Sequence, residues 1–380
     1  MSDDDLLYLD HAATSWPKPQ VVLDAMRRWY EQVGVSAERG DGERCQVARA
    51  EVAAARRGLG ALCGLGGDRV AFVSGATEGL NLTLRALLRP GHRVLTTAFE
   101  HSSVVRPLAA LRAPLGLSLE VLPPDPDGGL AATGMAAAIA RHRPDVLVFT
   151  HASNVTGAVF DAAAFAAAAR AAGCTSVLDV SQTAGWLPVD VGADVVVGSA
   201  HKALLGPPGL GFVIARPGVA LAPQKQGGTG SSQALERHPE AWPTAFEAGT
   251  PNTPAIFGLA AALRWADAHP APPRLAACLE EVERLADALG QLPGVQLLRP
   301  PPGPRTPVLS LTLADADPAE LGLVLDAARI HVRSGHHCAP WLHQHLGTQA
   351  SGTVRIAPGA PLGDRDRQRL VEAVASAAGG

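Results

Sequence analysis

The stretch "VVVGSAHKALLGPPGLGF" (residues 195–212) places Lys202 between a run of valines and a turn rich in glycine and proline. Continuous β-branched runs of this kind are typical of strands that are buried on both faces of a parallel sheet. Similar runs are "DRVAFVSG", "HRVLTTAF", "DVLVFTHAS", "TSVLDVSQ" and "ADVVVGSA", and alanine-rich helical stretches such as residues 162–173 alternate with them. The alternation predicts an α/β domain with a mostly parallel sheet that is covered by helices.

The pattern changes after "GTPNTP". A long helix over residues 255–269, a second helix over about residues 273–289, and strands near "VLSLTL" and "IHVRSG" are typical of a smaller α+β domain. We therefore predict a large α/β domain over residues 15–255. The predicted small domain combines residues 1–14 with residues 256–380.

The composition predicts a soluble enzyme that acts on a small molecule. The chain has 380 residues and a net charge of −4, which argues against a nucleic-acid partner. No run of about 18 apolar residues occurs, and the acidic start does not resemble a signal peptide, so we expect a cytoplasmic protein with no membrane partner. The five cysteines are scattered and form no CxxC pair, which argues against a disulfide framework and a thiolate zinc site.

Polar side chains follow the apolar runs, at the edge of the sheet where ligands bind in folds of this kind. They are Thr77 and Glu78, which follow Ala76, and His101, Asn154, Asp179, Gln182, Ser199, His201 and Lys202. The set suits pyridoxal phosphate: a lysine can bond to its aldehyde, an aspartate can pair with its pyridine nitrogen, and the helix that follows "SGAT" can bind its phosphate. Burial would lower the pKa of Lys202 and favour both bond formation and proton transfer.

Eight segments also carry a family resemblance. They are "YLDHAATSWPKP", "SGATEGLNL", "FEHSSVVRPL", "HASNVTGAVF", "DVSQTAGWLPVDV", "SAHKALLGPPGLGF", "FEAGTPNTP" and "RSGHHCAPWLHQHLGTQASGTVR". In this order, from Tyr8 to Arg355, they resemble the cysteine desulfurase family, within the class V, fold-type I pyridoxal phosphate enzymes. The resemblance implies pyridoxal 5′-phosphate as the cofactor and a homodimer as the active unit.

The resemblance also implies a role for each site residue. Lys202 would bind the cofactor, Asp179 its pyridine nitrogen, Gln182 its phenolic oxygen, and His101 would stack on its ring. The residues implied for the phosphate are Ala76, Thr77, Ser199, His201 and, from the neighbouring subunit, Thr250. Asn154 and Arg355 would bind the substrate carboxylate, and Arg333 would shape the loop that carries Cys338.

Cys338 is the residue that separates desulfurases from their relatives. The resemblance implies that Lys202 moves the α-proton of L-cysteine, with His101 in the catalytic set, and that the Cys338 thiolate attacks the substrate sulfur. Alanine and a persulfide on Cys338 would result. Nearby His336, His337 and Arg333 predict an electropositive setting that favours the thiolate.

Other interpretations stay open at this point. His336, His337, Cys338, His343 and His345 could form a metal site, but no spacing among them repeats a zinc pattern, so we predict no metal. His11 and the segment "GVSAERGDGERC" (residues 34–45) depart from the family pattern near the substrate. The alternatives are a carbon–sulfur or selenocysteine lyase, a class V aminotransferase that does not use Cys338, or a scaffold without activity. The short segment between Cys338 and Arg355 resembles the branch that passes sulfur to a partner protein.

Overall fold

Strands and helices alternate along most of the chain. The computed structural model describes residues 5–37, 40–230, 236–314 and 316–378, so residues 38 and 39 of the atypical 34–45 segment lie outside the described part. The strands are β1 (Leu7–Tyr8), β2 (Val70–Val73), β3 (Arg93–Thr97), β4 (Ser118–Leu122), β5 (Val146–Thr150), β6 (Thr175–Asp179), β7 (Val195–Ser199), β8 (Gly211–Ala215), β9 (Val295–Leu298), β10 (Leu309–Leu313), β11 (Ile330–His331), β12 (Arg333–Gly335) and β13 (Thr353–Ile356).

The α-helices connect these strands. They are α1 (Gln20–Arg28), α2 (Glu43–Leu62), α3 (Ala76–Leu87), α4 (Ser102–Leu115), α5 (Ala132–His142), α6 (Ala162–Ala171), α7 (Thr253–Ala268), α8 (Ala271–Leu289), α9 (Pro318–Ala327), α10 (Pro340–His345) and α11 (Asp364–Ala378). Short helical turns occur at Trp29–Val33, Gly67–Arg69 and Thr244–Phe246. Within the described ranges, no helix combines the length and the apolar character that a membrane span needs.

A seven-stranded sheet forms the centre of the molecule, with the strand order β2-β8-β7-β6-β5-β3-β4. The five strands from β4 to β7 in this order pair in parallel, and β8 runs antiparallel to both β2 and β7. The predicted α/β class with a mostly parallel sheet is therefore confirmed. Two strands, β4 and β8, lie outside the predicted runs.

Helices cover both faces of this sheet, which explains why the central strands are apolar throughout. One face packs Phe149 and Leu178 against Phe165 of α6, and the other packs Val197 and Val213 against α3. Each fully buried side chain of this size contributes about 1.5–3 kcal/mol to folding. The sheet and its helices thus form a rigid support for the loops at its carboxyl edge.

The second part of the structure is a four-stranded antiparallel sheet with the order β12-β13-β10-β9. Its core joins α8, α9 and α11, and it includes Leu7 and Leu9 from the N-terminal segment. Strand β1 also pairs in parallel with β11. By contrast, Ile256 and Phe257 of α7 pack in the core of the large sheet. The division at residue 255 stays a prediction, and this packing favours a boundary after α7.

Candidate active site

A cavity of about 210 Å³ lies where β5, β6 and β7 end. The residues that line it include most of the predicted set, namely Ala76, Thr77, His101, Asn154, Asp179, Gln182, Ser199, His201, Lys202, Arg333 and Arg355. The carboxyl ends of parallel strands meet at one edge of a sheet, which brings these residues together from distant parts of the chain. Cys338 and Thr250 are not among the lining residues.

The loop that carries Lys202 is fixed by the N-terminal segment. The carbonyl oxygen of His201 accepts hydrogen bonds from the Ser15 backbone N–H at 2.9 Å and from Lys18 Nζ at 2.7 Å. Burial lowers the pKa of Lys202 to about 8, although the charge of nearby Asp179 opposes this shift. A substantial fraction of the Lys202 amine is therefore neutral near physiological pH, as a nucleophile or a proton acceptor requires.

The N-terminus of α3 faces the same cavity. The Ala76 backbone N–H donates to Ser199 Oγ at 3.2 Å, and the hydroxyls of Thr77 and Ser103 lie 2.7 Å apart. His201 Nδ1 is buried and has no hydrogen-bond partner among the described residues. Backbone N–H groups at a helix start attract anions, and these hydroxyl and imidazole groups add further donors.

Asp179 and Gln182 extend this polar lining beyond β6. Asp179 Oδ1 accepts a hydrogen bond from the Ser181 backbone N–H at 2.8 Å. Gln182 Nε2 donates to the Ala12 carbonyl oxygen at 3.1 Å, which ties β6 to the N-terminal segment. Both side chains are buried, so their positions are set by these contacts rather than by solvent.

His101 caps α4 and is neutral. Its Nδ1 accepts a hydrogen bond from the Ser103 backbone N–H at 3.0 Å, which assigns the ring proton to Nε2. Burial, with a smaller contribution from the charge of Lys202, lowers the pKa of His101 to about 4. The ring can therefore stack on a neutral or electron-poor partner without carrying a charge of its own.

Glu100 is a buried acid that no sequence pattern indicated as part of the site. Its Oε1 accepts hydrogen bonds from Thr97 Oγ1 at 2.5 Å and from the Thr150 backbone N–H at 3.1 Å. Its Oε2 is buried without a partner among the described residues. Burial raises the pKa of Glu100 to about 8, so the folded protein holds this carboxyl group in its protonated form at pH 7.

This protonation makes stability depend on pH. Between pH 4.5, the ordinary pKa of a glutamate, and pH 8, Glu100 ionises in the unfolded chain but not in the folded protein, so stability falls as the pH rises. We expect Glu100→Gln, which cannot ionise, to gain about 5 °C in Tm relative to the wild type between pH 5 and pH 8 in the cofactor-free protein. Differential scanning calorimetry over this pH range measures the difference.

The exposed Glu372 provides a matched control. The same substitution there, Glu372→Gln, should leave the Tm difference from the wild type constant with pH. A Tm difference for Glu100→Gln that does not change between pH 5 and pH 8 would contradict the buried, protonated state of Glu100.

Asp10 is a second buried acid that no sequence pattern indicated as part of the site. Its Oδ1 accepts a hydrogen bond from Arg355 Nη2 at 2.6 Å, and the side chains are 8% and 1% exposed. Arg355 Nη1 also donates to the Asn154 carbonyl oxygen at 3.0 Å, while Arg355 Nε has no partner among the described residues. Asp10 therefore fixes the orientation of a buried guanidinium group at the wall of the cavity.

Loss of this ion pair should be costly. We expect Asp10→Asn to lower the free energy of unfolding by about 3 kcal/mol or more, because the buried charge of Arg355 loses its counter-ion. Asp5→Asn is the control: the Asp5 side chain is 57% exposed and pairs with Arg369 and Arg365, and its loss should cost about 1 kcal/mol or less. Urea unfolding measures both, and equal losses for the two variants would contradict the argument.

The loop that carries Cys338 has an unusual backbone. His337 and Cys338 have φ angles of 48° and 58°, a region that few residues other than glycine adopt. The loop is held by two hydrogen bonds of 2.6 Å, from Asn154 Nδ2 to the His337 carbonyl and from the Ser102 N–H to the Cys338 carbonyl. Consecutive residues with this backbone often occur at functional sites, where surrounding contacts stabilise the strain.

The Cys338 thiol differs from the other thiols of the chain. Cys45, Cys63, Cys174 and Cys278 are buried, whereas Cys338 is partly exposed, and none of the five forms a disulfide bond. Cys338 Sγ lies 3.7 Å from Arg333 Nη2. The Arg333 guanidinium therefore places a positive charge beside the one cysteine sulfur that is not buried.

The predicted positive charge of His337 is wrong. Burial, followed by the charge of Arg355, lowers the pKa of His337 to about 2, so the ring is neutral. Its Nε2 lies 2.9 Å from Thr353 Oγ1, and His336 is an exposed side chain near Gln349. Arg333 is the cationic group that contacts the thiol directly. Among the residues with described positions, no group of three or more histidine, cysteine, aspartate or glutamate side chains could hold a metal ion.

Thr250 lies apart from the other predicted residues. It is exposed and lines a separate cavity of about 650 Å³, together with Arg56, Lys225 and Glu247. Its predicted role involves a neighbouring subunit and stays a prediction.

The sequence and the fold are similar to those of known enzymes. The aminotransferase class-V family matches residues 7–360. A cysteine desulfurase of Klebsiella pneumoniae subsp. pneumoniae is 34% identical over 348 residues, which cover 88% of this chain and 84% of that protein.

Two solved structures share the fold over almost the whole chain. The apo structure of a cysteine desulfurase from Thermococcus onnurineus NA1 has a TM-score of 0.89 and 27% identity, and the match covers 99% of this chain and 96% of that one. The cysteine desulfurase CsdA of Escherichia coli has a TM-score of 0.87 and 26% identity, with 99% and 95% covered.

Proposed function

Because the chain belongs to the class-V aminotransferase family and, within it, to the cysteine desulfurases, we propose that it converts L-cysteine to L-alanine and transfers the sulfur to Cys338 as a persulfide. One observation carries this proposal: Asn154, which lines the cavity of Lys202, also binds the loop that holds Cys338. A buried amine of lowered pKa and a thiol beside an arginine thus belong to one connected site.

The proposed cofactor is pyridoxal 5′-phosphate, and the residues of the cavity fit it. A volume of about 210 Å³ suits one small ring, since sites for drug-sized ligands start near 300 Å³. Lys202 offers the amine, Asp179 a carboxylate for the pyridine nitrogen, Gln182 a donor for the phenolic oxygen, and His101 a ring face. The orphaned His201 Nδ1 and the start of α3, with Ala76, Thr77 and Ser199, support a phosphate at the opposite end.

Proton transfer is the proposed role of Lys202. When bound, the cofactor supplies an electron sink that makes the α-hydrogen of the substrate acidic. With a pKa of about 8, the Lys202 amine can accept that proton and return it near neutral pH. Neutral His101, with its proton on Nε2, keeps a positive charge away from the face on which it would stack.

Arg355 and Asn154 are proposed to hold the substrate carboxylate. Asp10 accepts a hydrogen bond from Arg355 Nη2, and the buried Arg355 Nε remains available as a donor. A guanidinium that is fixed in this way fits a carboxylate in a plane, as an ammonium could not. This contact would orient the substrate sulfur relative to the Cys338 loop.

Sulfur transfer is the proposed role of Cys338. Its thiolate forms a bond to the sulfur of the substrate while the carbon–sulfur bond breaks. The electron pair of that bond stays with the substrate carbon, which becomes the methyl group of alanine after it takes up a proton. Arg333, 3.7 Å from Cys338 Sγ, stabilises the attacking thiolate.

The proposal includes a homodimer, a sulfur-acceptor protein and a cytoplasmic location. Thr250 lies in a different cavity from Lys202, so its implied contact with a phosphate needs a second copy of the chain. The Cys338 loop is fixed by hydrogen bonds, which supports delivery of the sulfur to a protein that comes to the loop. The five cysteines form no disulfide bond, which is in keeping with a reducing compartment.

A product analysis tests the function. The protein loaded with cofactor is mixed with L-cysteine and a reducing thiol, and alanine, sulfide and pyruvate are assayed. We expect alanine and sulfide in equal amounts and no pyruvate. Pyruvate with ammonia would assign the protein to the lyases, and an exchanged amino group would assign it to the aminotransferases.

A further inference from the structure

A third cavity, larger than the two already described, lies between the two parts of the structure. Its volume is about 830 Å³, and its wall is formed by the N-terminal segment, the Lys202 loop, the α7–α8 region and the segment that follows β13. Ala12, Gln182 and Lys202 line both this cavity and the smaller one. Clefts of this size between domains are common ligand sites. The proposed reaction uses none of the other residues that line it.

Two cations in the wall of this interdomain cavity have no acidic partner among the residues whose positions are described. Lys18 Nζ donates to Ser15 Oγ and to the His201 carbonyl, each at 2.7 Å, and Arg274 Nη2 donates to the Gly185 carbonyl at 3.3 Å. Arg274 Nε is buried without a partner. All these acceptors are uncharged, so the positive charges of both side chains are not neutralised.

Little negative charge lines the interdomain cavity to offset these two cations. One carboxylate, Asp366, is among the lining residues that the structure describes, and it pairs with Arg369 at 3.5 Å. Burial lowers the pKa of Lys18 to about 8, so most of the ammonium groups stay charged at pH 7. An arginine is charged at any physiological pH. The interdomain cavity is therefore electropositive.

The same cavity is rich in aromatic rings. Tyr8, Trp16, Trp186 and Trp265 line it. The guanidinium carbon of Arg274 lies 5.1 Å from the ring centroid of Trp186 and 5.2 Å from that of Trp265. These two contacts fix Arg274 at the wall by cation–π attraction. Trp16 is 39% exposed, and the other three rings are partly exposed. Aromatic rings beside a fixed cation suit a flat ring that bears a negative charge.

We propose that the interdomain cavity binds a planar aromatic anion, that is, an aromatic ring bearing a carboxylate or a phosphate. The ring packs against the tryptophans, and the anionic group pairs with Arg274 and Lys18. The ligand lies against the same wall as Lys202, but it does not depend on the desulfurase reaction. A failure of this proposal would therefore leave the product analysis unchanged.

Calorimetric titration of the protein loaded with cofactor tests the proposal. The probes are indole-3-carboxylate and phenyl phosphate, which distinguish the two anionic groups, with indole as a ring without charge and cyclohexanecarboxylate as a charge without an aromatic ring. We expect at least one aromatic anion to bind with a Kd of about 100 µM or less and each control to bind at least about tenfold more weakly. Equal binding of the controls, or no binding of either anion at millimolar concentration, would overturn the proposal.

Two variants locate the site. Arg274→Gln should weaken binding by about tenfold or more, whereas Arg284→Gln, the same change at an exposed position of α8, should leave it unchanged. If Arg274→Gln does not fold, Ala277→Phe is used instead, because it keeps both cations and fills the cavity from α8. It should weaken binding of the anion by about tenfold or more. If Arg274→Gln folds and binds the anion as tightly as the wild type, the anion binds elsewhere and the proposed site is wrong. The same conclusion follows if Ala277→Phe, used in its place, binds the anion with unchanged affinity.

Discussion

Replacing Lys202 by alanine is expected to lower the rate of alanine formation from L-cysteine by about 1000-fold or more, since both the cofactor bond and the proton carrier are lost. The reason lies in the environment of Lys202. It lies at the end of β7 in a cavity that also contains Asp179 and His101, and burial lowers its pKa to about 8. Steady-state kinetics at saturating cofactor measures the effect.

Because the chain has few lysines, the lysine that binds the cofactor can be identified by chemical labelling. The chain has three, Lys18, Lys202 and Lys225. Borohydride reduction of the loaded protein, followed by peptide mapping, should place the mass of the cofactor on the Lys202 peptide alone. Lys225, which pairs with Glu78 at 3.0 Å, is the control position, and Lys225→Ala should keep the label on Lys202. Labelling of another lysine, or an active Lys202→Ala variant, would show that the cofactor is not bound there.

Replacing Cys338 by alanine is expected to lower alanine and sulfide production by about 100-fold or more while cofactor binding is unchanged. The thiol is the nucleophile in the proposed transfer, and Cys338 is the one cysteine of the chain that is not buried. The visible absorbance of the bound cofactor reports binding, and product assays report activity. The separation of these two readouts distinguishes a lost nucleophile from a damaged fold.

Cys278 is the matched control for this substitution. It is buried in α8, and burial raises the pKa of its thiol to about 11, so Cys278→Ala should keep most of the activity. Mass spectrometry after a single turnover without a reducing thiol should find one added sulfur on the Cys338 peptide of the wild type. Wild-type rates of alanine formation in Cys338→Ala would refute the persulfide step.

Local pattern predicted the strands from β5 to β7 and the helix α6 well. Their apolar and alanine-rich runs are continuous, and Asp161 caps the start of α6, where its carboxylate accepts a hydrogen bond from the Ala164 N–H at 3.0 Å. The edge strand β4 is only half-buried, and β8 follows the glycine and proline-rich turn after Lys202, so neither has so clear a local pattern. The packing of α7 on the large core also depends on distant partners.

The sequence by itself determined the α/β class and most of the residues that line the smaller cavity. It could do so because the carboxyl ends of parallel strands meet at one edge, so polar residues that follow successive strands must become neighbours. The position of Lys202, Asp179 and Asn154 in one cavity follows from this rule.

The tertiary structure alone decided the charge states and the long-range contacts. Asp10 and Arg355 form an ion pair across 345 residues of sequence, and Glu100 is protonated while His337 is neutral. The physical reason is that desolvation and Coulomb energy depend on all the atoms packed around a group, whichever part of the chain supplies them. The interdomain cavity arises in the same way, because Lys18 and Arg274 share a wall only after the chain has folded.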